Sequence, residues 1–253
     1  MVVVLGVELY DKGHKSSVKK IIRETGVNNH KARLVSATGA HGLVTAKKDD
    51  NFRNVLNKFY LNLPDGMPCV WVGRIRGAKK MTRCYGPDFF SDVMIASANT
   101  KINHFLCGGK SGVARNLKKA CKDKFENDNI VGLYSPPFRA MADSEFQNLG
   151  SKINSSKANI VWIGLGTPKQ ELFAEKLSHY TKVNFIITVG AAFDFHTGNV
   201  KQAPKIIQNI GMEWFFRLCM EPKRLWRRYF SVVPLFIYYN AIDLAWRKND
   251  TNN

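Results

Sequence analysis

One carboxylate lies where a parallel sheet would present it to a ligand. Asp65 follows the short apolar run of residues 60–63, in the sequence Pro64-Asp65-Gly66. A carboxylate at the end of a strand can act as a general base that takes a proton from an attacking hydroxyl. The same residue types also form a common turn, and turn statistics alone favour that simpler interpretation.

Two glycine-containing segments have the composition of phosphate-binding loops. Gly108 and Gly109 follow an apolar run and precede an amphipathic segment, which predicts a strand, a tight turn and a helix start. Backbone N–H groups and the positive end of a helix favour a phosphate there, although a simple tight turn has the same sequence. At a second junction of this kind, Gly166 precedes Lys169 and Gln170, whose side chains could hold a diphosphate or sugar hydroxyls.

Further candidates for nucleotide contact lie at other predicted element ends. Tyr134 and Asp194 each follow an apolar run, where a ring can stack on a base and a carboxylate can accept hydrogen bonds from a ribose. Arg83 could neutralise a phosphate, although a surface arginine is the commoner case. His196 has no partner at ligand spacing and is interpreted as structural. No Asp-x-Asp motif or Cys/His cluster predicts a bound metal.

The elements that would position these groups alternate along the chain. Short β-branched runs alternate with amphipathic stretches, which is typical of an α/β fold with a mainly parallel sheet and helices on both faces. Strands are predicted at residues 2–8, 33–37, 60–63, 103–107, 130–134, 159–163 and 184–189. One long helix is expected from about residue 43 to residue 59. Ligands of such sheets bind beyond the carboxyl ends of the strands, which is where the loops above fall.

The charge of the chain restricts its partners. Its 253 residues include 38 Lys and Arg but 20 Asp and Glu, a formal net charge of +18. Such a chain favours an anionic partner: nucleic acid, an anionic membrane surface or a phosphate-bearing molecule. Residues Met212–Tyr229 interleave basic with aromatic side chains. This pattern suits an interfacial membrane segment, a surface that stacks single-stranded nucleic acid, or a packed helix with a solvated basic face.

Several other classes of protein are disfavoured. A content of 45% hydrophobic and 23% charged residues is typical of a folded chain. The longest apolar run, Val232–Tyr239, is too short to cross a membrane. Five scattered cysteines and the absence of a secretory pattern at the N-terminus predict a cytoplasmic location. The Gly164-x-Gly166 sequence only weakly favours a Rossmann-type oxidoreductase, because the third glycine and the acidic residue after the next strand are absent.

Six segments, read in order, resemble those of the WecG/TagA/CpsF glycosyltransferase family. They are LPDGMPCVW, RCYGPDFF, FLCGGKSGVA, GLYSPPFR, WIGLGTPKQE and the stretch from residue 189 to residue 229. The likeness runs from about Gly6 to Tyr239. It implies a Rossmann-like α/β catalytic domain over residues 1–200 and a C-terminal helical membrane-binding appendage over residues 201–253.

The resemblance also implies a reaction. Members transfer a sugar, with inversion, from a UDP-sugar to a polyprenyl-diphosphate-linked saccharide during bacterial polysaccharide or teichoic acid synthesis. The resemblance implies that no metal or other cofactor is needed, and that the enzyme acts peripherally on the inner face of the cytoplasmic membrane. An anionic membrane surface is then the expected partner, and nucleic acid is not. Alternatively, the apolar run Val232–Tyr239 packs between the subunits of a homo-oligomer.

Individual residues take roles from the family motifs. Asp65 becomes the general base, which reverses the turn interpretation, and Arg83 balances the diphosphate leaving group. The implied donor-binding residues are Thr38, Gly108, Gly109, Tyr134, Gly166, Lys169, Gln170 and Asp194. The appendage arginines that would reach a lipid diphosphate or anionic headgroups are Arg217, Arg224 and Arg227.

One loop departs from the family pattern. Many members have a threonine and an asparagine after the second predicted strand, near the sugar. Here Thr38 is shifted by one residue, Gly39 stands at the asparagine position, and His41 is a substitute polar group. The donor sugar therefore stays open between an N-acetylmannosamine type and another hexose.

Overall fold

The computed structural model describes residues 1–27 and 31–250, without the side chains of residues 209 and 246–250. The strands are β1 (Val2–Val4), β2 (Val7–Leu9), β3 (Arg33–Thr38), β4 (Leu61–Pro64), β5 (His104–Gly108), β6 (Ile130–Tyr134), β7 (Ile160–Gly164) and β8 (Phe185–Thr188). The helices are α1 (His14–Glu24), α2 (Ala40–Lys48), α3 (Asp50–Asn57), α4 (Met67–Ile75), α5 (Gly86–Ser97), α6 (Val113–Phe125), α7 (Asp143–Ser155), α8 (Lys169–Ser178), α9 (Ala192–His196), α10 (Lys205–Asn209), α11 (Glu213–Met220) and α12 (Pro222–Asp250).

Six strands form one sheet in the order β4-β3-β8-β7-β5-β6, and every pair is parallel. Alternate residues of each strand pack on opposite faces. On one face, Trp162 packs with side chains of α1, α5, α6 and α9, among them Phe90 and Phe193. On the other face, Val161 and Ile163 pack with α7 and α8. The prediction of a parallel α/β sheet with helices on both faces is confirmed.

The strand order places a crevice between β5 and β7. From β5 the chain continues to the edge strand β6, whereas from β7 it continues to β8 on the opposite side. The helices that follow β5 and β7 therefore lie on opposite faces, which opens a gap at the carboxyl ends of these strands. The loops that begin at Gly108 and Gly164 border this gap.

Two sequence-based element predictions are wrong in detail. Residues 2–8 do not form one strand, because Leu5 and Gly6 adopt positive φ and reverse the chain into the separate antiparallel hairpin β1-β2. The helix expected over residues 43–59 is two helices. Asp49 has extended backbone geometry, and its carboxylate accepts a hydrogen bond from the Phe52 N–H at 3.1 Å, so it caps a new helix, α3.

The C-terminal helices pack back onto the sheet domain. The last of them, α12, begins at Pro222. Val232 and Phe236 of α12 are buried in a cluster with the β1-β2 hairpin, α2 and α4. An ion pair of 2.6 Å joins Arg76 to Asp243. Among the described residues, no helix combines the length and the apolar character needed to cross a membrane. The division into domains at residue 200 stays a prediction.

Candidate active site

Asp65 lies directly after β4, between the first turns of two helices. Its N–H donates to the Thr38 carbonyl at 3.0 Å, and its Oδ1 accepts from the Gly86 N–H at the start of α5 at 3.2 Å. A Cβ added to Gly39, just before α2, would lie 3.7 Å from Oδ2. Burial raises the pKa of Asp65 to about 6, even though the Arg83 guanidinium and the Gly86 N–H act in the opposite direction. This value suits a carboxylate that exchanges a proton near neutral pH.

Close backbone packing holds the Gly86 N–H beside Asp65. A Cβ added to Gly86 would lie 2.8 Å from the Val189 carbonyl oxygen and 3.4 Å from the Ala37 Cβ. Any larger residue would push α5 away from the end of β8. The absence of a side chain at residue 86 thus lets the helix donate to the carboxylate from close range.

Arg83 lies near Asp65 and is almost completely covered. Its Nη1 donates to Gln208 Oε1 at 3.2 Å, and its Nη2 forms an ion pair with Glu213. The guanidinium carbon lies 4.0 Å from the centre of the Tyr85 ring. Only 13% of the Arg83 side chain is exposed. The structure therefore brings the predicted base and the predicted diphosphate-binding arginine together.

Helix α11 contributes a second arginine to the same place. Arg217 follows Glu213 by one helical turn, which puts both side chains on one face. Its guanidinium lies 5.4 Å from the Phe195 ring centre, and its charge lowers the pKa of Asp65. Burial, followed by the Glu213 carboxylate, raises the pKa of Tyr85. The family resemblance assigns Arg217 to a lipid diphosphate or to anionic headgroups, and the structure places its guanidinium near Asp65.

Gln170 joins two loops at the carboxyl edge of the sheet. Its Oε1 accepts from the Gly166 N–H at 3.2 Å and from the Gly190 N–H at 3.0 Å. Its Nε2 donates to Glu171 Oε1 at 2.9 Å. The side chain is buried, at 1% exposure. In this arrangement the amide holds the loops after β7 and β8 together.

A buried polar network continues from Gln170 to Thr38. Glu171 Oε1 also accepts from Ser36 Oγ at 3.2 Å and from Thr167 Oγ1 at 3.0 Å. The Thr38 hydroxyl donates to Ser36 Oγ at 3.0 Å. Burial raises the pKa of Glu171, whose Oε2 is buried and has no hydrogen-bond partner within residues 1–27 and 31–250. The network fixes the inner wall of the site beneath the Thr38 loop.

The glycine loop after β5 packs directly on the end of β7. The Gly109 N–H donates to the Gly164 carbonyl at 3.1 Å. A Cβ added to Gly108, at φ +148°, would lie 2.6 Å from that carbonyl oxygen. Only glycine allows this approach, which sets the turn that leads into α6. Because β4 and β5 are four strand positions apart, Asp65 and this loop lie roughly 20 Å apart along the sheet edge.

The other predicted donor residues lie around this side of the edge. Tyr134 ends the edge strand β6, with the Lys152 ammonium 5.9 Å from its ring centre. The Lys169 ammonium lies 5.1 Å from the ring of Phe138, which is fully exposed. Asp194, in the first turn of α9, accepts from Asn199 Nδ2 at 3.3 Å. These side chains border the same sheet edge as Asp65 and do not contact it.

The two remaining appendage arginines lie on α12. Arg224 forms an exposed ion pair with Glu221 at 2.7 Å. Arg227 lines a groove of about 390 Å³ with Lys48, Arg228 and His41. Burial, followed by the nearby Arg228 charge, lowers the pKa of His41 to about 4.

A further groove of about 670 Å³ reaches Arg83. It is lined by polar loop residues and by the charged or titratable side chains of Lys12, His14, Lys15, Lys80, Asp88, Asp92 and Lys205.

Metal-binding chemistry has no obvious location in the described part of the chain. No three His, Cys, Asp or Glu side chains there are grouped so that they could hold a metal ion. His196 Nε2 lies 3.0 Å from the Pro87 carbonyl oxygen, and its ring packs against Phe90 and Phe125 at 5.3 and 5.2 Å. Burial lowers its pKa. These contacts support the structural interpretation of His196.

Sequence reasoning misses several groups of the site, namely Ser36, Tyr85, Glu171, Gln208 and Glu213. One feature of the sequence could have revealed Glu213. It is an acidic residue in a mostly basic segment, four residues before Arg217. That spacing places Glu213 and Arg217 on one helix face. It does not reveal that this face is turned toward Arg83, which depends on how the chain returns after residue 200.

Two comparisons with known proteins show what the chain is similar to. Residues 2–250 match the sequence model of the glycosyl transferase WecG/TagA/CpsF family. The chain is also 29% identical over 199 residues to an N-acetylglucosaminyldiphosphoundecaprenol N-acetyl-beta-D-mannosaminyltransferase of Bacillus subtilis (strain 168). That alignment covers 79% of this chain and 75% of the relative. With a family match over nearly its whole length, the chain is a glycosyltransferase and belongs to the WecG/TagA/CpsF family.

Proposed function

We propose that this glycosyltransferase moves a sugar from a UDP-sugar to a polyprenyl-diphosphate-linked saccharide, with inversion at the anomeric carbon. The observation that carries the proposal is the partly buried Asp65 carboxylate, with a pKa of about 6, next to the Arg83 guanidinium. The relative's name specifies a diphosphoundecaprenol-linked acceptor and an N-acetylmannosaminyl group. It therefore supports a lipid-linked acceptor here and makes N-acetylmannosamine the first donor sugar to test, ahead of other hexoses.

The proposed chemistry is a single displacement. Asp65 accepts the proton of the acceptor hydroxyl as that oxygen forms a bond to the anomeric carbon. The bond from this carbon to the UDP oxygen breaks, and UDP leaves with the electron pair. One displacement inverts the anomeric configuration, and one base is sufficient for it.

Cationic side chains and helix N-termini would stabilise the departing diphosphate. In this proposal Arg83 faces the developing negative charge, and the glycine loop before α6 holds the rest of the UDP with Tyr134, Lys169 and Asp194. Preorganised donors of this kind can stabilise charge in place of a metal. We therefore propose a metal-independent reaction, which activity in the presence of EDTA would test.

The proposed location is the inner face of the cytoplasmic membrane, where a lipid-linked acceptor would be reached. Helices α11 and α12 expose Phe215, Trp226 and Phe230 among several basic residues. Aromatic and basic side chains together favour an anionic lipid interface, with each cation adding about 1 kcal/mol near the surface. Association into homo-oligomers stays a prediction.

A transfer assay tests the function and the base together. The full chain is incubated with UDP-N-acetylmannosamine and a short polyprenyl-diphosphate N-acetylglucosamine in anionic vesicles with EDTA, and the product is measured by mass spectrometry. Asp65→Asn should lower kcat by about 100-fold or more, because the acceptor proton then has no base. UDP affinity, measured by calorimetry, should change by less than about twofold, because Asp65 acts on the acceptor.

Asp88→Asn is the matched control, since Asp88 lies in the first turn of α5 and pairs with Lys205 at 3.0 Å on the surface. It should keep transfer activity. Undiminished transfer by Asp65→Asn would contradict the role of the base. Absence of transfer from any UDP-hexose in vesicles would contradict the proposed donor. An unchanged anomeric configuration, determined by NMR, would contradict inversion.

A further inference from the structure

Protein groups already engage Arg83 where a diphosphate would bind. Its Nη1 donates a hydrogen bond to Gln208, and its Nη2 forms an ion pair with Glu213. The Tyr85 ring covers one face of the guanidinium. Both Arg83 and Glu213 are nearly buried, with side-chain exposures of 13% and 14%. Each Nη keeps a second N–H and Nε has no partner, but a phosphate bound across the guanidinium would face the Glu213 carboxylate, so bidentate binding requires this carboxylate to leave.

The surroundings of Glu213 are richer in donors than one carboxylate can satisfy. In the described part of the chain, Arg83 Nε and Arg217 Nε are buried without a hydrogen-bond partner, and the buried Tyr85 hydroxyl interacts with the same Glu213 carboxylate. All three can donate, and buried donors normally have acceptors. Two guanidinium groups in one place are typical of sites for phosphate, whose oxygens offer more charge and more acceptors than a carboxylate.

We propose that Glu213 fills an anion site on Arg83 in the absence of ligand, and that a phosphate of the substrate takes this place when α11 withdraws the carboxylate. The proposal rests on the proposed function for the identity of the ligand as a nucleoside diphosphate. The site itself is defined by Arg83, Arg217, Tyr85 and Gln208 and requires only a diphosphate group.

The segment that would move is weakly held. Both acceptors on Arg83, Gln208 and Glu213, belong to residues 205–220, so one displacement releases both Nη atoms. No residue of α11 is fully buried, and the buried residue of the segment that holds Arg83 is Gln208 of α10, at 2% exposure. Segments with few buried apolar contacts have low local stability and are the ones that open.

Calorimetric titration of the full chain with inorganic pyrophosphate, and separately with UDP, tests the exchange. Glu213→Gln keeps the shape of the side chain and removes its charge, so both ligands should bind about tenfold more tightly than to the wild type. Glu221→Gln is the matched control, because it removes the same charge from the next turn, where Glu221 pairs with Arg224 at 2.7 Å. It should change affinity by less than about twofold.

A double variant shows whether the gain acts through Arg83. Arg83→Gln alone should weaken binding of both ligands. In that background, Glu213→Gln should give no further tightening, because the cation that it would release is absent. A full tenfold gain that persists without Arg83 would mean that only the overall charge matters, which would overturn the proposal.

The outcomes separate this proposal from the proposed function. Equal or weaker binding to Glu213→Gln overturns the exchange and makes Glu213 a positioning residue for Arg83, while UDP binding would still support the donor. Tighter pyrophosphate binding with no binding of UDP to any variant supports the anion site and contradicts the UDP donor. No binding of either ligand to any variant overturns both.

Hydrogen exchange on the wild type keeps the test independent of variant folding. Saturating pyrophosphate should increase amide exchange in residues 205–220, because α11 loses its ion pair to Arg83. Exchange in β7 should stay unchanged. Increased protection of residues 205–220 would mean that the ligand binds while this segment still contacts Arg83, which would overturn the displacement.

Discussion

At Asp65, opposing influences set the behaviour of one carboxyl group. Burial, followed at a distance by the Glu213 carboxylate, raises its pKa, and the Arg83 and Arg217 charges and the Gly86 N–H lower it. The resulting value of about 6 leaves a base that is mostly ionised at neutral pH and still accepts a proton readily. An exposed aspartate in the same turn would be a weaker base.

The activity should therefore depend on pH through Asp65. The base must be deprotonated, so kcat/KM should fall as pH drops through about 6 and should level off above about 7. The pH profile of UDP release in vesicles measures this. The residual activity of Asp65→Asn should lack the acidic limb, and Asp88→Asn should keep it. A wild-type limb centred near pH 4 would contradict the role of burial.

The same shift makes a separate prediction for stability. The folded-state pKa of Asp65 is raised above its unfolded value, so its contribution to stability is present at low pH and is lost as pH rises through about 6. Asp65→Asn should consequently unfold at a higher urea concentration than the wild type at pH 8, with a smaller difference at pH 5. Equal midpoints at both pH values would contradict the shift.

At the scale of elements, loops carry the site and buried contacts hold them in place. Gln170 ties the loop after β7 to the loop after β8, and Gly109 ties the loop after β5 to the end of β7. Each tie satisfies a backbone group that would otherwise be buried without a partner. The sheet edge is therefore shaped before any ligand arrives, which lowers the entropy lost on binding.

The break between α2 and α3 gives a test of local structure. Asp49→Ala removes the carboxylate that caps the Phe52 N–H and should lower the free energy of unfolding by about 1 kcal/mol, as measured with urea. Asp50→Ala is the control, because its side chain is 75% exposed and forms only a surface ion pair with Arg53. Equal losses from both variants would show that the helix dipole, rather than the cap, stabilises α3.

At the scale of the whole molecule, α12 has a buried side and an exposed side. Phe236 lies in the cluster formed with α2 and the β1-β2 hairpin, at 5% exposure, whereas Phe230 on the same helix is 72% exposed. A single helix can thus pack onto the α/β core and still offer aromatic side chains to another surface. This arrangement explains the mixture of aromatic and basic residues in the sequence.

The two phenylalanines should separate folding from membrane binding. Phe236→Ala should lower the free energy of unfolding by about 3 to 5 kcal/mol, because it leaves a cavity in a packed cluster. Phe230→Ala should leave stability within about 0.5 kcal/mol and should weaken co-sedimentation with anionic vesicles. Unchanged vesicle binding by Phe230→Ala would contradict the proposed membrane-facing side.

The sequence by itself determines the α/β class, the parallel sheet and the position of most strands, because these follow from local apolar periodicity. It also marks Asp65, the glycine loops and the family, since motif residues and their order are written in the chain. Local patterns missed the Leu5-Gly6 reversal and the break at Asp49, where one turn or one cap outweighs a continuous apolar stretch.

Only the tertiary structure brings Arg83, Gln208, Glu213 and Arg217 together beside Asp65. These residues are separated by up to about 150 positions, and no local rule relates residues so far apart. Their meeting depends on how α10 to α12 return across the sheet edge, which the packing of Phe236 and its neighbours decides. Burial, which sets the pKa of Asp65 and covers Arg83, likewise exists only once the chain has folded.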